Sequence, residues 1–147
     1  MLTKRSKYGL KAVLYLAAHE GRGPVAISEV ADAEHIPHKF LEAILLDLKR
    51  QGILQSKKGQ GGGYSLARLP TEVTAGQVIR CLDGPLALVP CVSQTAYARC
   101  AECADEATCA VRFAMKQVRD ATAAILDSTT LAALNQQTRS RGKRRKG

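Results

Sequence analysis

Tryptophan is absent from this sequence, and the other aromatic side chains are four tyrosines and two phenylalanines. A core with so few aromatics depends on Leu, Val, Ile and Ala, a composition that favours helices. Long apolar runs are also missing: Lys11 interrupts the first apolar stretch, and none is long enough to span a bilayer. The following AAHEG is a poor signal-peptide cleavage site. We therefore predict a cytoplasmic, mainly α-helical protein with no membrane partner.

Acidic residues are scarce, and the imbalance is uneven along the chain. Residues 1–70 contain 11 Lys/Arg against 6 Asp/Glu, whereas residues 71–138 contain 5 against 7. Residues 139–147 contain 6 basic residues and no acidic one. This distribution indicates a polyanion-binding module followed by a neutral module, with mere solubility as the alternative. We expect residues 139–147 to be a disordered basic tail, because short basic ends usually are.

Three helices are expected in the first part of the chain. Apolar residues recur at helical spacing over residues 3–20, and a short second helix ends near Glu34. Pro37 cannot continue that helix but suits the first turn of the next one. The third helix, residues 38–51, has an apolar face and stops at Gly52. This succession predicts a helix-turn-helix.

The segment GILQSKKGQGGGYSLAR, residues 52–68, is interpreted as two short strands joined by a glycine-rich turn. The glycines permit positive φ and close approach to another backbone. A nucleotide-binding loop is disfavoured, because the segment neither opens a helix nor ends in Gly-Lys-Ser/Thr. A winged helix over residues 1–82 is therefore predicted. The expected wing contacts are the glycines Gly61, Gly62 and Gly63, with the basic residues Lys57, Lys58 and Arg68 flanking the tip.

Other DNA contacts are expected from the helix-turn-helix itself. The N-terminal residues of a recognition helix reach base edges, and Glu42 is suited to accept from a cytosine amino group. A solvated surface role is the alternative for Glu42. Ser28 is expected to cap its helix and to donate to a phosphate. The basic side chains are expected to contact phosphates, which set the affinity for DNA and its salt dependence. The candidates are Ser28, His38, Lys39, Glu42, Lys49 and Arg50.

The second half contains a short helix, a cysteine-rich loop and a long helix. The short helix covers residues 74–82 with Thr74 as its N-cap, and the loop covers residues 83–109. The long helix, residues 110–138, has apolar residues spaced four-three-four-three, which is typical of helices paired along their length. Core packing is the alternative, but dimeric readers of two half-sites are common. The proposed dimer seam consists of Val111, Met115, Val118, Thr122 and Ile125.

Several stretches resemble one family of bacterial regulators. MLTKRSKYGLKAVLYLA, ISEVADAEHIPHKFLEAILLDLKRQGIL, KGQGGGYSL and LDSTTLAAL are similar to the IscR/NsrR/RirA/CymR family, over roughly residues 1–134. The resemblance implies a homodimeric winged-helix transcription factor that binds a double-stranded DNA operator. Many members carry an iron–sulfur cluster that controls DNA binding, whereas others respond through a partner protein. An enzyme is not expected, because no nucleophile–base grouping is present.

Four of the five cysteines lie within nineteen residues of one another. Iron–sulfur clusters need soft, deprotonated sulfur ligands. Cys91, Cys103 and Cys109 resemble the three cluster cysteines of the family. An IscR-like member has a histidine ligand three residues after the last cysteine, but this chain has Arg112. Cys100 is therefore the candidate fourth ligand; without it the site would have three protein ligands and an open position.

Other chemistries remain open for these thiols. From spacing alone, structural zinc is as good an interpretation as iron–sulfur, and the resemblance favours a cluster, with 2Fe–2S preferred over 4Fe–4S. Thiol–disulfide sensing by Cys100 and Cys103 is disfavoured by neighbouring acidic residues. Cys81 is expected to be a buried small hydrophobe. A carrier of a cluster or of zinc is an alternative of another class, but it leaves the basic wing unexplained.

Overall fold

The described residues form six α-helices and two β-strands. The computed structural model describes residues 2–146, and the expected class, mainly helical with one hairpin, is confirmed. None of the helices in this range has the length and apolar character to cross a membrane. The helices are α1 (Lys4–Ala18), α2 (Ile27–Glu34), α3 (His38–Arg50), α4 (Ala75–Asp83), α5 (Ala110–Ser128) and α6 (Leu131–Lys146), and the strands are β1 (Leu54–Lys57) and β2 (Gly63–Leu66).

The helix-turn-helix is formed by α2, a tight turn and α3. His35 ends α2 in the left-handed conformation (φ 54°), and the Ile36 N–H donates to the Ala31 carbonyl at 2.9 Å. Pro37 then precedes the first residue of α3. α3 buries one side completely, and burial of this apolar stripe stabilises the unit. The fully buried side chains of α3 are Leu41, Ile44, Leu45 and Leu48.

The wing is the antiparallel pair of β1 and β2, in which Leu54 faces Leu66 and Lys57 faces Gly63. A third segment joins it, because Val25 and Tyr64 exchange two backbone hydrogen bonds of 2.8 Å. Gly63 (φ 149°) lies against the Val25 carbonyl, where a Cβ would collide. The close approach expected of the wing glycines is therefore observed, and it fixes the wing against the start of α2.

α4 begins with a capping box. The Thr74 hydroxyl accepts from the Gln77 N–H, and the Gln77 side chain accepts from the Thr74 N–H, both at 3.2 Å. This arrangement satisfies two otherwise unpaired donors of the first turn. Thr74 is therefore the N-cap that its position before the apolar residues predicts.

The single helix expected over residues 110–138 is wrong, because the chain breaks between α5 and α6. Thr129 is extended, and its carbonyl accepts from the Ala75 N–H at 2.9 Å. Thr130 forms a β-bridge with Thr74, and its hydroxyl accepts from the Ala133 N–H at 3.1 Å, as an N-cap does. Backbone pairing with the start of α4 therefore ends α5 and starts a new helix.

The expectation of a disordered tail is also wrong for residues 139–146, which continue α6. Residue 147 lies outside the described residues. The tail consists mainly of Arg and Lys, which are strong helix formers, and its cations lie at the C-terminal end of the helix, where the helix dipole favours them. α6 begins at the fully buried Leu131, so the helix has a packed start from which to continue.

Candidate DNA interface and cysteine cavity

The solvent face of α3 is centred on Lys39, Ala43, Leu46 and Arg50. These residues lie opposite the buried stripe, and all four are exposed. The face therefore combines cations at each end with two apolar side chains between them. Cations suit phosphates, and small apolar side chains suit thymine methyl groups. The exposed Ala43 and Leu46 were missed from the sequence because they do not carry polar groups.

The remaining candidates on α3 lie around this face. His38 and Glu42 are both exposed, and His38 Nδ1 is 3.5 Å from Glu42 Oε1. The pair becomes an ion pair only when His38 is protonated. Lys49 is exposed, and Arg50 Nη1 lies 3.7 Å from Asp47 Oδ1. The candidates on α3 thus lie together on the exposed side of this helix, although their contacts with DNA remain predictions.

Ser28 does not cap α2, contrary to expectation. The helix begins at Ile27 with Ala26 as N-cap, and no side chain accepts from its first turn. Ser28 is instead the second helical residue and is exposed. A hydroxyl on the first turn still lies beside unpaired backbone N–H groups, so its donation to a phosphate stays a prediction.

The wing places its basic residues unequally. Lys57 and Lys58 are exposed next to the tip, where Gly61 has a φ of 73°. The expectation that Arg68 flanks the tip is wrong, because the register Leu54↔Leu66 puts Arg68 beyond the opposite end of the hairpin. There Arg68 Nε lies 3.9 Å from Glu72 Oε2, and its Nη2 donates to the Glu72 carbonyl at 3.3 Å. Arg68 therefore stabilises the turn after β2.

A cluster of charged and aromatic groups, not anticipated from the sequence, holds α2 in place. The Tyr15 hydroxyl donates to Glu29 Oε2 at 2.6 Å, and Arg22 Nη1 donates to the same atom at 2.9 Å. These hydrogen bonds, first from Arg22 and then from Tyr15, lower the pKa of Glu29 to about 2. The His19 ring stacks on Tyr15 at 4.2 Å between centroids. The cluster joins α1, the following loop and the first helix of the helix-turn-helix.

The four candidate cysteines line one cavity of about 740 Å³ between the loop and the start of α5. Cys91 is buried, Cys103 and Cys109 are half-buried, and Cys100 is exposed. Cys81 is not among the lining residues; it lies half-buried on α4, and burial raises its pKa. Within residues 2–146, no three Cys, His, Asp or Glu side chains come close enough to hold a single metal ion. The four cysteines thus share one cavity without converging on a single ion.

Backbone and side-chain hydrogen bonds shape the cavity wall. Arg99 Nη2 donates to the carbonyls of Cys103 and Ala104, both at 3.2 Å, and the Cys103 N–H donates to the Cys100 carbonyl at 3.1 Å. Cys109 is the N-cap of α5, because its sulfur accepts from the Arg112 N–H at 3.4 Å. The cavity is therefore attached directly to the first turn of α5.

Two polar groups of the cavity bear on what it would hold. Cys100 Sγ donates to Glu102 Oε2 at 2.6 Å, and this hydrogen bond raises the pKa of the Cys100 thiol. Arg112 also lines the cavity, and its Nε is buried without a hydrogen-bond partner in the described part of the chain. A buried, unpaired guanidinium donor is costly and fits an anionic group nearby.

The apolar stripe of α5 differs from the seam expected. Met115 and Thr122 are half-buried against their own chain, whereas Val111, Val118 and Ile125 are 65%, 42% and 65% exposed. The exposed Ala114 and Ala121 complete a three-four spacing with these three residues, the pattern of a helix seam. Sequence periodicity located the helix but did not distinguish its packed side from its exposed side.

The other end of α5 is attached to the winged helix. Arg80 Nη1 and Nη2 donate to the two carboxylate oxygens of Asp127 at 2.6 and 2.8 Å. This bidentate pair lowers the pKa of Asp127 and raises that of Arg80. Gly76 lies directly beneath the Asp127 carboxylate, where a Cβ would collide. α5 therefore connects the cysteine cavity at its first residue to α4 at its last turn.

The fold and the exposed cations define a winged helix-turn-helix protein of the DNA-binding class. A family model described as an iron-dependent transcriptional regulator, Rrf2, matches residues 2–137. The rrf2-like HTH-type transcriptional regulator of Rhodobacter capsulatus is 41% identical over 134 residues, covering 89% of each chain. This chain belongs to the Rrf2 family of transcriptional regulators; its relatives are regulators and not enzymes.

Solved structures support the same assignment. CymR, the global cysteine regulator of B. subtilis, superimposes with a TM-score of 0.77 and 31% identity, covering 93% of this chain and 97% of CymR. IscR of T. potens superimposes with a TM-score of 0.75 and 26% identity, covering 94% and 88%. The resemblance to the IscR/NsrR/RirA/CymR regulators is thereby confirmed.

Proposed function

We propose that this protein is a homodimeric transcriptional regulator whose binding to a DNA operator is controlled by an iron–sulfur cluster held in the cysteine cavity. One observation carries the proposal: four cysteines line a single cavity at the N-terminus of α5, the helix that links this cavity to the winged helix. The signal sensed would be iron, redox state or nitric oxide.

DNA recognition would use α3 and the wing. Glu42 and the exposed face of α3 would meet base edges in the major groove, while Lys39, Lys57 and Lys58 would meet phosphates. These three lysines are exposed, and within residues 2–146 none of them makes an ion pair. Their charges therefore remain available to the duplex.

A second copy of the chain would cover the exposed stripe of α5. Val111, Val118 and Ile125 leave a continuous apolar edge exposed, and the family resemblance implies a dimer through this helix. Two recognition helices related by a two-fold axis would then read two half-sites on one operator.

The four cysteines supply the sulfur donors that a cluster needs, and the cavity is large enough to admit one. Cys91, Cys103 and Cys109 would be ligands, with Cys100 as the fourth, and the unpaired Arg112 would donate to the anionic group. A cluster bound there would supply a redox-active, oxygen- and nitric-oxide-sensitive centre. A 2Fe–2S cluster is favoured over 4Fe–4S. Zinc, which accepts the same sulfur donors, is the alternative cofactor.

Control of DNA binding would pass through the loop of residues 91–109. An ordered loop holds the Cys109 cap and therefore the first turn of α5, whereas a loosened loop releases it. Because α5 also carries the proposed dimer seam, its position sets the spacing of the two recognition helices. The order of the loop is thus the element that a signal would change.

Anaerobic purification of the full chain, with iron, sulfide and zinc counts and a visible spectrum, tests the cofactor. We expect iron and sulfide in the wild type, their loss in Cys103→Ser, and their retention in Cys81→Ser, a matched control outside the cavity. Loss in Cys100→Ser would make that residue a ligand, and retention would leave a three-cysteine site. Stoichiometric zinc without iron would overturn the cluster.

Duplex binding by the as-isolated and chelator-treated protein tests the regulation. We expect salt-dependent affinity that differs between the two preparations, and a weaker salt dependence in Lys57→Gln/Lys58→Gln. Arg68→Gln is the control, because Arg68 already pairs with Glu72. Equal operator affinity in both preparations would refute control by the cluster, and an absence of salt-dependent binding would refute the DNA-binding role.

A further inference from the structure

The second half of α6, residues 139–146, is a helix dense in positive charge, which we call the basic arm. No acidic residue follows Asp127 in the sequence. All cations of the arm are exposed, and none makes an ion pair within residues 2–146. The arm consists of Arg139, Ser140, Arg141, Gly142, Lys143, Arg144, Arg145 and Lys146.

The basic arm is attached firmly to the winged helix through the first half of α6. Leu131 is fully buried, and its N–H donates to the Val73 carbonyl at 3.0 Å. The Ala132 N–H donates to the Pro70 carbonyl at 3.2 Å, and Asn135 Nδ2 donates to the Leu14 carbonyl at 3.1 Å. The direction of the arm is therefore set by contacts with α1 and with the segment after the wing.

The cations of the arm point to all sides of the helix rather than forming one stripe. Successive helical residues are rotated by about 100°, so six cations within eight residues surround the axis. Such a helix has no apolar face to dock on a protein core or a membrane. The mutual repulsion of these cations is relieved by a ligand of dense negative charge.

We propose that the basic arm is a second duplex-DNA contact, which binds phosphates outside the stretch read by α3 and the wing. The eight residues rise about 10 Å, a length over which a duplex carries about six phosphates. Because the cations surround the helix axis, some of them face the duplex whichever side of the arm meets it. The proposal rests on the DNA-binding function proposed above. The contact is sequence-independent, because it involves phosphates alone.

The test uses the full-length protein and two arm variants. In the first, all six cations are replaced by glutamine (Arg139→Gln, Arg141→Gln, Lys143→Gln, Arg144→Gln, Arg145→Gln and Lys146→Gln). In the second, each arginine is exchanged for lysine and each lysine for arginine, which keeps the charge. Gln, Lys and Arg are all good helix formers, and circular dichroism verifies that α6 is retained.

Affinity is measured over a salt series on random-sequence duplexes of about 20 and about 40 base pairs, since two half-sites occupy about two helical turns. On the longer duplex we expect the glutamine variant to bind at least about tenfold more weakly than wild type, with a clearly shallower salt slope. The effect on the shorter duplex should be smaller. The charge-conserving variant should match wild type on both.

Equal affinity and slope for the glutamine variant and wild type on the longer duplex would overturn the proposal while leaving the DNA-binding function intact. The same variants are also titrated with single-stranded RNA of the same length. If the glutamine variant lost affinity for this RNA but bound both duplexes as wild type does, the arm would be an RNA contact and the proposal would be overturned. Failure of the wild type itself to bind any duplex would instead refute the proposed function.

Discussion

Gly63 is the residue that lets the wing lie against the strand segment at Val25. Its φ of 149° is open to glycine but strained for other residues, and a Cβ would collide with the Val25 carbonyl oxygen. Replacing it with alanine would push the two backbone segments apart and weaken both hydrogen bonds between Val25 and Tyr64. The orientation of the wing therefore depends on this one missing side chain.

We expect Gly63→Ala to lower the free energy of unfolding by about 2 kcal/mol or more, from backbone strain plus the collision. Gly21→Ala is the control: Gly21 also has a positive φ, but no atom lies near the new Cβ, so strain alone should cost about 1 kcal/mol. Urea unfolding of both variants measures the difference. Equal losses would show that the contact with Val25 does not matter.

Glu29 gives the fold a dependence on acid pH. Hydrogen bonds from Arg22 and Tyr15 lower its folded-state pKa to about 2, below the unfolded value of about 4.3. The contribution of the carboxylate to stability is therefore fully present above the unfolded pKa, and it is lost as the pH falls towards 2. Glu29→Gln removes the charge but keeps the shape of the side chain.

We expect Glu29→Gln to be less stable than wild type near neutral pH, with the difference shrinking as the pH falls from about 5 to about 3. Urea unfolding at each pH measures this convergence. Glu20→Gln is the control, because Glu20 is an exposed carboxylate outside the cluster and should follow wild type throughout. A difference between Glu29→Gln and wild type that is constant with pH would contradict the assigned role of the carboxylate.

At the scale of elements, α5 has one side packed on its own chain and another side exposed. Half-buried Met115 and Thr122 mark the packed side, while Val118 lies in the middle of the exposed stripe. An exposed apolar stripe of heptad spacing on a long helix is typical of an interface. A charge placed at its centre would be buried without a partner in the proposed dimer.

We expect Val118→Glu to weaken dimerisation at least about a hundredfold, because burying an unpaired carboxylate costs several kcal/mol. Gln117→Glu adds the same charge about 100° around the helix and should leave the dimer intact. Sedimentation velocity over a concentration series distinguishes the two. A dimer of unchanged affinity in Val118→Glu would place the interface elsewhere, provided that circular dichroism shows a folded chain.

At the scale of the whole molecule, locally coded features were predictable from the sequence and contacts between distant segments were not. The Thr74 cap, the turn at Pro37 and the glycine-rich wing each depend on residues within a few positions of one another. The break after α5 depends instead on pairing between Thr130 and Thr74. The position of Arg68, which was predicted wrongly, depends on the strand register. Neither the pairing nor the register can be detected from the local periodicity of the sequence.

The candidate site divides in the same way. The proximity of the four cysteines could be predicted, because residues this close in sequence must lie near one another; their role as ligands stays a prediction. Their arrangement around one cavity depends on how the loop packs against α5, and so does the burial of Arg112. The exposed stripe of α5 could not be predicted either, because the contact between Arg80 and Asp127 helps to determine which side of the helix packs against the chain.

This last pair holds the far end of α5 on the winged helix. Arg80 and Asp127 connect α4 to the last turn of α5, while Cys109 caps its first turn at the cavity. In the proposed mechanism, a change in the loop reaches the winged helix because α5 moves as a rigid body, and this requires that its far end be held. Asp127→Asn removes the charge and one acceptor, which leaves Arg80 with a single weak partner.

We expect Asp127→Asn to speed amide hydrogen exchange in the last turns of α5 while leaving α3 unchanged, since only the link is lost. The difference in operator affinity between as-isolated and chelator-treated protein should shrink, although cofactor content stays the same. Lys116→Gln is the control, because it breaks a 2.9 Å ion pair with Asp120 inside α5 without touching α4. If Asp127→Asn kept the full affinity difference, the signal would have to reach the winged helix by a route other than this end of α5, such as the residues between α4 and the loop.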